Sequence, residues 1–165
     1  MSIINELGLL GMASRLQRLS DTMRKDAAAI FEKYNANFAV KWYPVILVLS
    51  RRSPVSLSEL ASDLKYTHPS IIQLINEMEE DKLVRSAGHK KDGRKRMVSL
   101  TEKGTRKMEE IKPIVAAFEK VMAEITDTKN NLLKAVEEVE NNLKKETLFE
   151  RESRLLEKER VATPA

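Results

Sequence analysis

The sequence predicts a mainly α-helical fold with a small β-hairpin wing: a winged helix-turn-helix flanked by helices at both ends. Three observations predict it. Only five Gly and five Pro interrupt 165 residues, and 33% of the chain is charged. Apolar residues recur at steps of three and four through most of the chain, the mark of a 3.6-residue repeat. One pair of strand-like segments, Leu83-Val84-Arg85-Ser86 and Met97-Val98-Ser99-Leu100, brackets Asp92-Gly93, a strong turn signal.

Each element follows from its residues. Between Asn5 and Tyr34 the positions Leu16, Leu19, Met23, Ala27, Ile30 and Tyr34 share one face, so one long helix is expected, broken at Asn35-Ala36-Asn37. Trp42 to Leu49 is apolar on all sides and reads as a buried helix with Pro44 in its first turn, where no N–H is needed. Arg51-Arg52-Ser53-Pro54 ends it. Ser56-Leu57-Ser58-Glu59 is a capping box opening a helix to about Leu64, with Leu57, Leu60, Ala61 and Leu64 inward. Lys65-Tyr66 turns the chain. Thr67 then caps a helix to about Asp81, with Pro69 in its first turn and Ile71, Leu74, Ile75 and Met78 as its buried stripe. These two short helices form a helix-turn-helix. A two-stranded hairpin with a long charged tip follows.

Thr101 caps the next helix, with Glu102 suited to the positive end of its dipole. Met108, Ile111, Val115, Phe118, Met122 and Ile125 give it a heptad-like stripe, and Pro113 is expected to kink it. A break near Thr126-Asp127-Thr128 precedes a helix carrying Leu132, Val136, Val139 and Leu143. Glu146 to Arg160 alternates in charge and reads as a solvated or fraying helix, with disorder from Val161 to Ala165. The expected organisation is a single domain over 1–165. Its helical dimerisation region spans 1–38 and 108–160, and its winged helix-turn-helix spans 40–107.

Composition removes several classes of function. There is no Cys, so disulfides, thiolate metal sites and thiol redox sensing are excluded. His68 and His89 are far apart, which argues against a His metal site. No run approaches the roughly 20 apolar residues of a membrane span. The start of the chain, with Glu6 and no basic stretch, does not read as a signal peptide, which points to the cytoplasm. No Gly-rich phosphate loop or Gly-x-Ser-x-Gly elbow is present. The carboxylate run Glu79-Glu80-Asp81 closes a helix beside basic residues, the setting of a solvated face. No catalytic residue, metal or cofactor is assigned.

Charge is unevenly placed. The chain carries net +4, but residues 50–107 hold +5, 85–96 alone +5, and 108–165 hold −3. Concentrated positive charge is what phosphate binding requires. The second helix of a helix-turn-helix enters the major groove and reads bases from its N-terminal end. Thr67, His68, Pro69, Ser70, Gln73 and Asn76 occupy that end and the face opposite the apolar stripe. Gln and Asn bond adenine edges bidentately, while Ser and His reach bases or phosphates. Ile72 flanks the stripe and either packs inward or meets a thymine methyl. On the wing, Lys90, Lys91 and Arg96 are candidate backbone contacts, and Arg94 is the candidate for insertion into a narrow minor groove. The competing reading is a winged helix that binds an acidic protein and no DNA; a salt slope near zero distinguishes it.

Leu57-Ser58-Glu59-Leu60-Ala61, Met78-Glu79-Glu80-Asp81-Lys82-Leu83-Val84, Asp92-Gly93-Arg94 and Leu100-Thr101-Glu102-Lys103-Gly104 stand in one order and spacing. In these, residues 45–107 resemble the MarR-type winged-helix transcription factors. The resemblance implies a homodimer knit by its terminal helices on a pseudo-palindromic operator, acting as a ligand-responsive repressor. It matches Thr67, His68, Ser70 and Gln73 to base-reading positions and Arg94 to the wing Arg. Gln73 stands where many members carry an Arg, a departure that alters direct readout. Asn5-Glu6-Leu7-Gly8 through Ser14-Arg15-Leu16, with Lys41-Trp42-Tyr43-Pro44-Val45, resembles a subgroup whose regulator domain precedes an acetyltransferase domain; the chain ends too soon for one.

Dimerisation also has support in the residues, because the stripes Met108–Ile125 and Leu132–Leu143 hold more apolar edge than a small winged helix covers. The resemblance further implies a small aromatic or anionic effector in a cleft beside the winged helix. Met12, Arg15, Trp42 and Tyr43 are the candidate contacts, with Trp42 as plain core the competing reading.

Overall fold

A computed structural model gives the fold. It describes the backbone at residues 2–34, 36–89 and 92–162, and side chains at all of these except 89, 92–94 and 160–162. In chain order it contains α1 (Ile3–Glu6), a 3₁₀ turn (Gly8–Gly11), α2 (Met12–Lys33), a 3₁₀ turn (Val40–Trp42) and α3 (Tyr43–Arg51). Then come β1 (Val55–Ser56), α4 (Leu57–Leu64), α5 (His68–Glu80), β2 (Val84–His89) and β3 (Asp92–Leu100). The chain closes with α6 (Glu102–Thr126), α7 (Leu132–Lys145) and α8 (Leu148–Ala162). The mainly helical class with a β wing is the observed one.

The chain forms two compact units, Met1–Ala116 and Ala117–Ala165. The first holds one hydrophobic cluster contributed by every element from α2 to the first half of α6. Val45, Ile46, Leu60, Ile71, Ile75, Met78, Val98 and Ile111 are fully buried in it. Each such side chain contributes roughly 1.5–3 kcal/mol. The expected stripe of α5 is therefore its core face in full. In the second unit α7 and α8 are amphipathic, and the turn between them is closed by Glu146, which accepts from Arg154 at 2.9 and 3.0 Å.

The caps form as their residues require. Ser56 Oγ accepts from Glu59 N at 3.3 Å while Glu59 accepts from Ser56 N at 2.8 Å, completing the capping box. The Ser56 hydroxyl, donating to the Glu59 carboxylate at 2.5 Å, and then the Ser56 N–H hold that carboxyl below the usual carboxylate range. Lys65, at φ 56°, ends α4 in the left-handed region. Thr67 caps α5 by accepting from Ser70 N at 3.3 Å. Thr101 Oγ1 accepts from Gly104 N at 3.0 Å and donates to Lys82 O at 2.6 Å, tying the start of α6 to the end of the helix-turn-helix.

Four local expectations are corrected. The long first helix is interrupted, because Gly8 takes φ +55° and leaves α1 and a 3₁₀ turn ahead of α2. The sheet has three strands in the order β1-β3-β2, since Val55 pairs with Val98 and Ser56 with Met97. A two-residue strand lies below what alternation in the sequence reveals. Asp92 and Gly93 belong to β3 rather than to a turn, and Asp92 pairs with His89. Helix α8 extends through Val161 and Ala162, where disorder was expected; 163–165 lie outside the described residues, as does Asn35 of the expected break. Helix α6 continues through Pro113.

Candidate nucleic-acid interface

Helix α5 is aimed by its buried stripe. With Ile71, Leu74, Ile75 and Met78 in the core, the other face turns outward, and Thr67, His68, Pro69, Ser70, Gln73 and Asn76 are all exposed on it. Ile72 is half-buried and packs against the core cluster. The hydroxyls of Thr67 and Ser70 lie 2.8 Å apart, so the first turn presents a paired donor and acceptor. Gln73 Nε2 donates to Glu77 Oε1 at 3.4 Å, leaving its carbonyl oxygen as the freer end.

The antiparallel pair β2–β3 stands beside this helix, with Val84 opposite Leu100 and Gly88 opposite Arg96. Arg85 and Lys95 are exposed on it. Arg94 lies on β3 by its backbone, its side chain outside the described set; Lys90 and Lys91 lie outside the described residues. Arg96 differs from a free phosphate contact. Its guanidinium donates to Ser86 Oγ at 2.9 Å and to Asn76 Oδ1 at 3.0 Å, and it pairs with Glu79.

Glu77 is a second junction that the sequence reading passes over. It pairs with Lys41 at 2.5 Å and accepts from Trp42 Nε1 at 3.4 Å, besides Gln73. The hydrogen-bonded Lys41 ammonium foremost, with help from Trp42, holds its carboxyl below the usual carboxylate range. A depressed carboxylate stabilises above its unfolded value, and that contribution disappears as pH falls through the folded one. Wild type should therefore melt higher than Glu77→Gln at neutral pH, with the two curves converging below about pH 4. Thermal unfolding across pH 3–7 reads this directly; a gap that persists at the acid end would remove the charge from the account.

The four candidate effector contacts do not converge. Met12 and Arg15 line a groove along α2 with Gly8, Leu16 and Leu19. Trp42 lines a different one with Arg24, Phe31, Phe38, Lys41 and Tyr66, and Tyr43 borders neither. Trp42 is only 8% exposed and meets Phe38 edge-on at 5.8 Å, so most of its ring is core. Among the described residues, no helix is long and apolar enough to cross a membrane.

A helix-turn-helix whose second helix turns a polar face outward beside a β wing defines a winged helix-turn-helix protein. Residues 37–95 match the family model of the MarR family. The structure is similar to the CouR transcriptional repressor bound to a 23-mer DNA duplex, with TM-score 0.69 and 21% identity over 84% of this chain and 97% of that one. It is similar to Staphylococcus aureus MepR in its DNA complex, with TM-score 0.64 and 19% identity over 81% and 93%. It is also similar to PcaV of Streptomyces coelicolor with its natural ligand, with TM-score 0.63 and 14% identity over 81% and 92%. No curated protein sequence matches the chain. The chain has the fold of MarR-family transcriptional regulators.

Proposed function

We propose that this chain is a cytoplasmic, sequence-specific DNA-binding transcriptional regulator and not an enzyme. It acts as a homodimer and represses from a pseudo-palindromic operator. One observation carries this reading: the exposed polar face of α5 stands next to a wing whose segment 85–96 holds net +5. That is the pairing of base-reading groups with phosphate-neutralising charge that duplex binding needs. MepR and CouR, which share the fold, have been solved on DNA.

The helical ends support association with a second copy. In the first unit Leu9 and Leu10 are 85% and 86% exposed. In the second, Phe118, Val121, Ile125, Val139 and Leu143 repeat at helical spacing and are exposed. Closed two-fold pairing buries such stripes. An aromatic or anionic effector is supported by the groove that Arg24 and Tyr66 line, where Arg24 is the cation, since Lys41 on the same wall is already paired with Glu77.

Selection of bound sequences from random duplexes with the purified chain tests the reading, followed by mobility shifts across salt. A two-fold symmetric site and a steep log–log salt slope are expected. No selected sequence and a slope near zero, from folded protein, would overturn it. On the selected site, Gln73→Ala should cost roughly 1–3 kcal/mol and relax preference at one base position. Competition against single-base variants checks this; unchanged preference at every position would take Gln73 out of the readout.

A further inference from the structure

Arg96 of β3 gathers three groups from two other elements: Asn76 and Glu79 from α5 and Ser86 from β2. Asn76 and Glu79 are three apart, so they project from one side of the helix. Ser86 lies two positions along β2 from Gly88, the direct partner of Arg96, and is its diagonal cross-strand neighbour. The Arg96 side chain is 34% exposed and that of Glu79 is 29% exposed. Guanidinium geometry suits this role, because its planar fork holds several acceptors in fixed directions. A charged group with three protein acceptors is poorly placed to give a phosphate its full attraction.

We propose that Arg96 is a positioning residue that clamps the wing to the recognition helix through Glu79 and orients Asn76 for base reading. This rests on the DNA-binding reading of α5. The clamp links the two elements that would enter neighbouring grooves, so it sets the distance between their contacts. It also decides what Asn76 offers. Arg96 occupies Oδ1, so the amide turns its Nδ2 donors outward, toward acceptors such as guanine O6 and N7 or thymine O4. Glu79 keeps the guanidinium neutralised within the protein. Arg96 therefore adds little to the counter-ions released on binding.

The test uses the full chain with Arg96→Ala, Glu79→Ala and the double variant. In free protein, amide hydrogen exchange in β2 and β3 should rise in both single variants and rise no further in the double. On the selected operator, each single variant should lose about tenfold in affinity, with the double close to either, the non-additivity of one shared interaction. The log–log salt slope should stay at the wild-type value for Arg96→Ala and for the double variant. If Arg96 instead contacts phosphate, Arg96→Ala lowers the slope by about one and Glu79→Ala leaves binding unchanged or stronger. That result overturns the clamp, as does unaltered exchange in the wing. Faster exchange from a chain that binds no DNA sinks the DNA-binding reading and leaves the mechanical link standing.

Discussion

Gly104→Ala should lower stability by about 3 kcal/mol, although Ala is the better helix former. The ordinary change inside a helix runs the other way, by roughly 0.5–1 kcal/mol in favour of Ala. Here the added methyl would meet the backbone carbonyl of Leu83, with Leu100 Cδ2 close by at 3.2 Å. The carbonyl cannot yield cheaply, because it accepts from Thr101 N at 3.0 Å and from Thr101 Oγ1 at 3.2 Å. Those bonds close the sheet against the start of α6. Relief requires α6 to back away from β2, which would disturb the wing as well. The melting midpoint should fall by roughly 6–12 °C. Thermal unfolding followed by circular dichroism checks it, and an unchanged or higher midpoint would show that α6 shifts freely.

Replacing Lys90, Lys91 and Arg94 together with Ala should weaken DNA binding by roughly 10²–10³-fold near 0.1 M salt. Each phosphate contact contributes about 0.9 to the log–log slope, so the slope should fall by two to three. Folding should be untouched, since Val84 and Val98, the buried residues of the two wing strands, lie at least four positions along the chain from all three. Affinity across a salt series is the measurement. Loss of affinity at an unchanged slope would mean that the wing acts through shape rather than charge.

Much of the winged helix could be read from the chain because its signals are local. Ser56 and Glu59, Thr67 and Ser70, and Thr101 and Gly104 are each three residues apart, and their caps depend only on backbone conformation at one helix start. The stripe of α5 is equally local. Its four apolar residues face the core whichever element packs there, and the outward polar face follows from that choice. Trp42 shows where such reasoning stops. Its type suits a core position or a ligand cleft, and only the docking of Phe38 and Glu77 decides for the core.

The sequence by itself determined the order of the principal helices and the two wing strands, the caps of α4, α5 and α6, the polar face of α5 and the excess of positive charge over residues 85–96. Tertiary structure decided which charges remain for a partner. Arg96 meets Ser86, Glu79 and Asn76 across ten, seventeen and twenty residues of chain. Val55 meets Val98 only because α3 and α4 bring β1 to the edge of β3. Periodicity and capping are properties of a few consecutive residues, whereas these pairings depend on where separate elements come to rest. A basic residue in a basic segment therefore reads as a phosphate contact until the helix beside it supplies the carboxylate.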